Sequence, residues 1–486
     1  MKFEDFLGIY HSGPEAVFEL LEVMRKTIVL LEEQNSQLPA LHKRVADLEA
    51  RLNMNSRNSS KPPSTDEFCK PKSRREKSDK PSGGQKGHPG HTLKMTDDPD
   101  HIVIHRMESC SDCGGHLEEI ETSDYEKRQV FDLPPLKLEV TEHQCQRRKC
   151  PHCGSINKSA FPEDVTQSVQ YGNNLKSMCI YLQDYQLLPY DRITELFGDV
   201  FHYTISEGTL FNINCATYEA LESVEVAIKD RVAAANVANF DETGVRVCGK
   251  RQWLHVASTH NLTHYAYHAK RGNEATDDID ILPRFKGYAV HDFWKPYLTY
   301  KCFHALCNAH QIRELIAILE ITGQEWPQEM IELLLEIKAT VGERKGIANA
   351  LEPEQISIYE QKYQQIIERG YLKNPPPDEP PKKKRGRIKQ SKARNMLNRL
   401  CNYQRETLAF MYDFNVPFEN NLAERDIRMQ KVKQKISGSF RSELGAKMFC
   451  RIRGYISTVR KNSIPVLTAI KSALAGNPYI PDSELS

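Results

Sequence analysis

Residues 239–245 read Asn239-Phe240-Asp241-Glu242-Thr243-Gly244-Val245: an apolar strand that reaches an acid, meets a glycine and resumes. Around it, the pattern predicts strands over 237–241, 244–248, 253–258 and 264–268. Short glycine-bearing joins at Glu242-Thr243-Gly244 and Gly249-Lys250-Arg251 make these an antiparallel meander. A brief helix over 274–281 leads to Gly287-Tyr288-Ala289-Val290-His291, a buried-type strand with Asp292 at its carboxyl end. Strand ends at the edge of an α/β sheet are common places for functional side chains.

A third acid follows in Pro417-Phe418-Glu419-Asn420-Asn421-Leu422-Ala423-Glu424-Arg425-Asp426-Ile427-Arg428. Proline and paired asparagines open a helix here. That helix sets Glu424, Arg428, Lys431 and Lys435 along one face, at offsets of four, seven and eleven, with Arg425 beside them. One acid leading a row of cations suits a carboxylate that holds a metal while the cations follow a phosphate backbone. Each acid also has an ordinary reading: Asp241 as a turn residue, Asp292 as a helix cap, and Glu424 as the capping-box partner of Asn421. Together they read as a three-carboxylate metal site working on DNA.

At 486 residues and 39% hydrophobic content, the chain is long enough for two to four domains. No apolar run reaches the roughly 18 residues of a membrane span, and Met1-Lys2-Phe3-Glu4-Asp5 lacks a signal-peptide pattern, so a cytoplasmic protein without membrane contact is expected. The net charge of +1 hides three basic islands. Residues 55–95 carry ten Lys/Arg against four Asp/Glu, residues 371–395 nine against two, and residues 421–461 eleven against three. Such islands point to a polyanion contacted at several places.

From the amino terminus, Val17, Leu21, Met24, Ile28, Leu31, Asn35 and Leu38 form a heptad seam with one polar position. The stripe restarts in a shifted register as Leu41, Val45, Leu48 and Leu52, which predicts a coiled coil broken or kinked at Pro39. Residues 53–93 are Ser-, Pro-, Gly-, Lys- and Arg-rich and cannot bury a core; they read as a linker or as an arm, with Lys86 in Gly83-Gly84-Gln85-Lys86-Gly87 approaching phosphates. The knuckles Cys110-Ser111-Asp112-Cys113 and Cys150-Pro151-His152-Cys153 can supply four thiolates to a structural zinc ion, Cys145 being a competing ligand. Between them, 130–133 and 136–140 read as an inserted hairpin. Residues 191–198 and 205–211 have a helix-turn-helix outline, though the second helix is almost free of cations and an ordinary helical hairpin fits better.

In this order, the elements resemble the large transposase of the IS66 family of bacterial insertion sequences. The residues that carry the likeness are 55–64, 83–91, the cysteine pairs, Asp241-Glu242-Thr243, His291-Asp292, Cys307-x-x-His310 with Arg313, and Asn420-Asn421-x-x-Glu424-Arg425-x-x-Arg428. The resemblance implies a multidomain α/β protein with a ribonuclease-H-like core. Its DDE triad falls on Asp241, Asp292 and Glu424, and a long helical insertion fills the 132-residue interval between the last two. The expected organisation is a leucine-zipper-like helix (1–54), a basic arm (55–100), a zinc-binding domain (101–165), a helical segment (166–232), the first part of the core (233–320), the insertion (321–415) and the second part of the core (416–486). Helices over 328–338 and 355–369 belong to the insertion, as does a basic loop bearing Arg385 and Arg387.

The expected chemistry is cleavage at element ends and strand transfer into target DNA. Mg²⁺ or Mn²⁺ would sit on the three carboxylates and Zn²⁺ on the four thiols. A homodimer or higher oligomer is expected, with small accessory proteins of the same element as further partners. The rivals are a stand-alone ribonuclease-H-like nuclease and a transposase-derived zinc DNA-binding protein without catalysis. The Cys302, His304, Cys307 and His310 cluster reads as structural, because residues three apart drift across a helix face.

Overall fold

The computed structural model describes residues 3–52, 54–55, 58–59, 93–122, 124–376 and 390–481. Lys86, Arg385 and Arg387 lie outside them. The chain forms two compact units: Met1–Pro71 with Tyr171–Pro189 and Leu210–Ser486, and Lys72–Gln170 with Tyr190–Thr209.

The larger unit begins with α1 (Phe3–His11) and α2 (Pro14–Leu52). Of the break or kink expected at Pro39, the break is absent: α2 is one helix through that position, its other turns keeping their ladder hydrogen bonds. Leu21, Met24, Ile28, Leu31, Leu38, Leu41, Val45 and Leu48 are all exposed along α2.

In the smaller unit, β1 (Arg147–Lys149) and β2 (Ile156–Lys158) make a two-stranded antiparallel ladder around the second knuckle. The hairpin expected over 130–140 does not form; Val130, Leu133 and Val140 are 80–90% exposed and have no partner strand among the described residues. Apolar alternation marks a strand only where a second strand meets it.

Helices follow: α3 (Asn173–Ile180), a π-helical turn over Tyr181–Tyr185, α4 (Tyr190–Phe201), α5 (Glu207–Ala220) and α6 (Glu222–Ala234). The two helices of the expected helix-turn-helix outline are thus present as α4 and α5, with the Ser206 hydroxyl accepting from Thr209 N–H at 3.1 Å. The π turn serves the larger unit. It leaves the Asp184 and Tyr185 carbonyls to accept from Arg453, a fully buried guanidinium, at 3.0 and 3.3 Å.

The sheet consists of β3 (Val237–Val247), β4 (Lys250–Ser258), β5 (Thr263–His268), β6 (Tyr288–His291) and β7 (Phe303–Leu306), in the order β5-β4-β3-β6-β7. The first three strands are antiparallel; β6 and β7 join parallel to β3. β3 is one strand, not the expected two. Gly244 lies inside it opposite Trp253, and a Cβ there would stand 3.2 Å from Arg251 Nε, so the glycine makes room for a neighbour and makes no turn. The reversal comes at Cys248-Gly249, both at positive φ (50° and 75°), as a two-residue hairpin turn requires.

The helix α7 (Asn273–Ile279) lies between β5 and β6, and a 3-10 turn over Lys295–Thr299 lies between β6 and β7. A helical stretch follows β7: α8 (Asn308–Thr322), which falls almost wholly in the expected first part of the core, and then, where helices were expected over 321–415, α9 (Trp326–Arg344), α10 (Pro353–Lys373), α11 (Lys392–Asn402), α12 (Gln404–Thr407) and α13 (Ala409–Tyr412). Its own core includes Leu315, Trp326, Leu334, Tyr363, Leu397 and Phe410. Then α14 (Asn421–Ser437), α15 (Glu443–Lys461) and α16 (Val466–Leu474) return to the sheet. Val245, Leu254, Val256 and Tyr265 from the strands pack there with Ala423, Ile427 and Phe449. Gly454 allows α15 to lie on β5, since a Cβ would sit 3.1 Å from Thr263 O.

Candidate active site

Parallel pairing of β3 with β6 matches Val237 to Tyr288 and Asn239 to Val290. The same offset carries Asp241 and Asp292 to matching positions, just beyond the paired stretch. Glu424 comes from the first turn of α14. That turn is held to β3 by Asn420, which accepts from Asn239 Nδ2 at 2.8 Å and donates to Phe240 O at 2.9 Å. It is also held to the start of α8, where Asn420 N–H meets Cys307 Sγ at 3.1 Å and Asn308 N–H meets Phe418 O at 3.0 Å.

Asp241 feels the charge of the acids around it. Burial, then the negative charges of Glu242 and Asp292, with a smaller push from Glu424, raise the Asp241 carboxyl well above the usual carboxylate range. A carboxylate crowded by acids is a site that favours a cation. The carboxylates do not close as a trio to within 4.8 Å; among the described residues the one set of three ligand atoms that does is Cys307, His310 and Glu424.

The ordinary readings fare unevenly. Asp241 is no turn residue, because β3 continues past it. Asp292 does serve locally: its Oδ1 accepts from Trp294 N–H at 3.1 Å, which leaves the other oxygen. Glu424 is not a capping-box partner. Asn420 holds the cap position, and Glu424 Oε1 is buried without a hydrogen bond, 3.6 Å from His310 Nδ1 and 3.8 Å from Arg313 Nη2.

Glu242 has a larger part than a turn residue. Its side chain is 2% exposed and accepts from Arg271 Nε at 2.9 Å, from Arg271 Nη2 at 2.5 Å and from the Tyr297 hydroxyl. Arg271 in turn lies over the rings of Trp253 (4.9 Å) and Trp294 (4.5 Å). Sequence reasoning missed Arg271 and Tyr297, which lie 29 and 55 residues from Glu242 with no local pattern linking them.

Beside this pair opens a cavity of about 570 Å³ lined by Arg246, Arg251, Arg271, Lys431, Trp253 and neighbours. Arg425, Arg428, Lys431 and Lys435 share the exposed face of α14, and Lys431 Nζ donates to Gly244 O at 3.0 Å. Lys433 is different: it turns inward over Phe440 at 4.4 Å. The Cys302–His310 stretch divides in two. His304 meets His291 at 3.1 Å, while Cys307 and His310 face Glu424.

In the smaller unit the two thiol knuckles are built alike. Cys110 N–H donates to Gly115 O at 2.8 Å and Gly114 N–H to Cys110 O at 2.9 Å; Cys150 to Ser155 and Gly154 to Cys150 repeat those distances. Gly114 and Gly154 both hold positive φ, 74° and 76°. Hydrogen bonds from Ser155 bring the Cys153 thiol down to about 7, and the backbone amides of Cys113 and Asp112 lower Cys110. The four thiols do not close to within 4.8 Å of one another, and Cys145 enters no group of three ligands among the described residues. Four soft donors on two matched turns fit a zinc ion.

Acids brought together from β3, the end of β6 and α14, with paired thiol knuckles elsewhere in the chain, suit a transposase, and that is the class of this chain. More narrowly, residues 168–448, over half of it, match the family model described as "Transposase IS66 family". The chain belongs to that family. Residues 108–154 match the "zinc-finger binding domain of transposase IS66", which supports a structural zinc, and residues 15–94 match a family of unknown function. No curated protein matches the chain. Among solved structures, the "Drosophila P element transposase strand transfer complex" is similar over 63% of this chain and 95% of that one, at 12% identity and a TM-score of 0.31. Among the described residues no helix is long and apolar enough to cross a membrane.

Proposed function

We propose that this chain is a DDE transposase with a ribonuclease-H-like core, cutting DNA at the ends of its insertion sequence and joining them to target DNA. One observation carries the reading: Asp241 and Asp292 take matching positions on neighbouring parallel strands, and Asn420 ties the helix of Glu424 to the same strand. The donor set suits hard divalent cations, since all three groups are carboxylates and Asp241 bears an excess of neighbouring negative charge. Asp241, Asp292 and Glu424 would hold Mg²⁺ or Mn²⁺, which when bound activates the attacking hydroxyl and stabilises the leaving oxygen.

The chain's own groups supply the rest. Arg271, fixed by Glu242 and two tryptophans, together with Arg246, Arg251 and Lys431, offers cations to phosphates beside the acids. Arg425, Arg428 and Lys435 extend that line along α14. Lys86, Arg385 and Arg387, outside the described residues, are further phosphate-binding cations on the strength of the sequence alone. Cys110, Cys113, Cys150 and Cys153 hold the structural zinc. The exposed stripe of α2 serves self-association, which brings two element ends together. The proposed segment boundaries are 1–54, 55–100, 101–165, 166–232, 233–320, 321–415 and 416–486.

The test is incubation of the full chain with Mg²⁺, DNA bearing the inverted repeats that flank its gene, and a target plasmid. Cleaved ends and joined products are expected. Cleavage without joining would favour the stand-alone nuclease, and binding without cleavage the non-catalytic DNA-binding protein.

A further inference from the structure

Cys307 ends the segment leading into α8, His310 lies in that helix's first turn, and Glu424 lies in the first turn of α14. Their Sγ, imidazole nitrogen and carboxylate oxygen lie within 4.8 Å of one another. His310 Nδ1 and Glu424 Oε1 are both buried and have no hydrogen-bond partner, and they stand 3.6 Å apart. That gap is too long for a good hydrogen bond. It matches the roughly 3.3–3.8 Å that separates two ligands of one tetrahedral zinc ion. The Asn420 amide, donating to Cys307 Sγ at 3.1 Å, fixes the sulfur between the two helix starts.

We propose that Cys307, His310 and Glu424 form a binding site for a transition-metal ion of the zinc class, separate from the thiol knuckles. Sulfur and imidazole nitrogen beside one carboxylate select a softer ion than Mg²⁺, and three protein ligands leave a fourth position open. Binding expels the Cys307 proton and sets the ion's double charge against thiolate and carboxylate. Arg313, 3.8 Å from the same Oε1, is the competing cation; its Nε is turned back to Ala309 O on its own helix at 3.3 Å. A loaded site ties Glu424 to α8 and withdraws it from Asp241 and Asp292. This regulatory half rests on the triad reading, and the binding half does not.

The experiment measures zinc in the purified full-length chain after equilibration with zinc and removal of excess. The native chain is expected to hold about two ions, one in the zinc finger and one here, and Cys307→Ser and His310→Ala about one each. His310→Ala, at a partly exposed position, serves if the buried cysteine variant fails to fold. Cys110→Ser is expected to lose the other ion and keep this one. Equal zinc content in native chain and His310→Ala overturns the site. In the cleavage assay zinc is expected to slow the Mg²⁺-dependent native reaction, and His310→Ala to need about tenfold more zinc for the same slowing. If zinc slows both equally, the regulatory half falls. If the native chain cuts no DNA at all, the transposase reading falls while the metal count still decides the site.

Discussion

Asp241→Asn and Asp292→Asn each lower Mg²⁺-dependent cleavage of element-end DNA on the order of 10⁴-fold, as the loss of one member of a jointly acting set does. The expectation includes intact folding. Asp241 lies within β3 and Asp292 just past the end of β6, and neither makes an ion pair among the described residues, so an amide of the same shape leaves no cation unpaired. Because burial and neighbouring acids disfavour the Asp241 charge, Asp241→Asn is expected to melt no lower than the native chain in magnesium-free buffer at neutral pH. Loss of activity with unchanged or higher thermal stability separates removal of a metal ligand from damage to the fold. Cleavage within tenfold of native in either variant would remove that acid from the site.

Much of this arrangement can be read from the chain, and the unread parts share a cause. Asp292 at the end of a short apolar strand, α14 behind paired asparagines, and α9 and α10 all follow from local pattern. Gly244 misleads, because in isolation a glycine after Glu-Thr looks like a hairpin; only pairing with Trp253 and the nearby Arg251 side chain explain why the strand needs no side chain there. The runs over 130–140 mislead in the opposite sense, since alternation predicted strands that find no partner among the described residues. Glu242 was underrated for the same reason: its partners Arg271 and Tyr297 are distant in sequence, and a buried acid gains its role from what meets it across the fold. Asn420 looks like a helix cap, yet its side chain binds β3, which leaves Glu424 free of the capping duty its spacing suggested.

Two residues beyond Glu424 the same helix carries Asp426, for which the opposite outcome is expected. Asp426 Oδ2 accepts from Ser258 at 2.6 Å, Thr263 at 3.0 Å and Lys461 at 2.9 Å, and the two charged side chains are 14% and 13% exposed. Lys461 Nζ completes its set with Thr259 O at 2.9 Å and Leu262 O at 2.8 Å. The network joins α14 and α15 to β4, the neighbour of the acid-bearing β3, and to β5 beyond it. Lys461→Met leaves Asp426 charged and uncompensated, and breaking such a buried pair costs roughly 3–5 kcal/mol. In urea unfolding the variant's midpoint therefore falls sharply, with residual cleavage tracking the folded fraction. Glu424→Gln reverses both readouts: its carboxylate has no hydrogen bond to lose at Oε1 and only long contacts to partly exposed His310 and Arg313, at 3.6 and 3.8 Å, so the midpoint moves little while cleavage collapses. Should Lys461→Met unfold at the native midpoint, the pair would carry no net stability. Should Glu424→Gln unfold early, its role would be structural and the third acid would have to be sought elsewhere on α14.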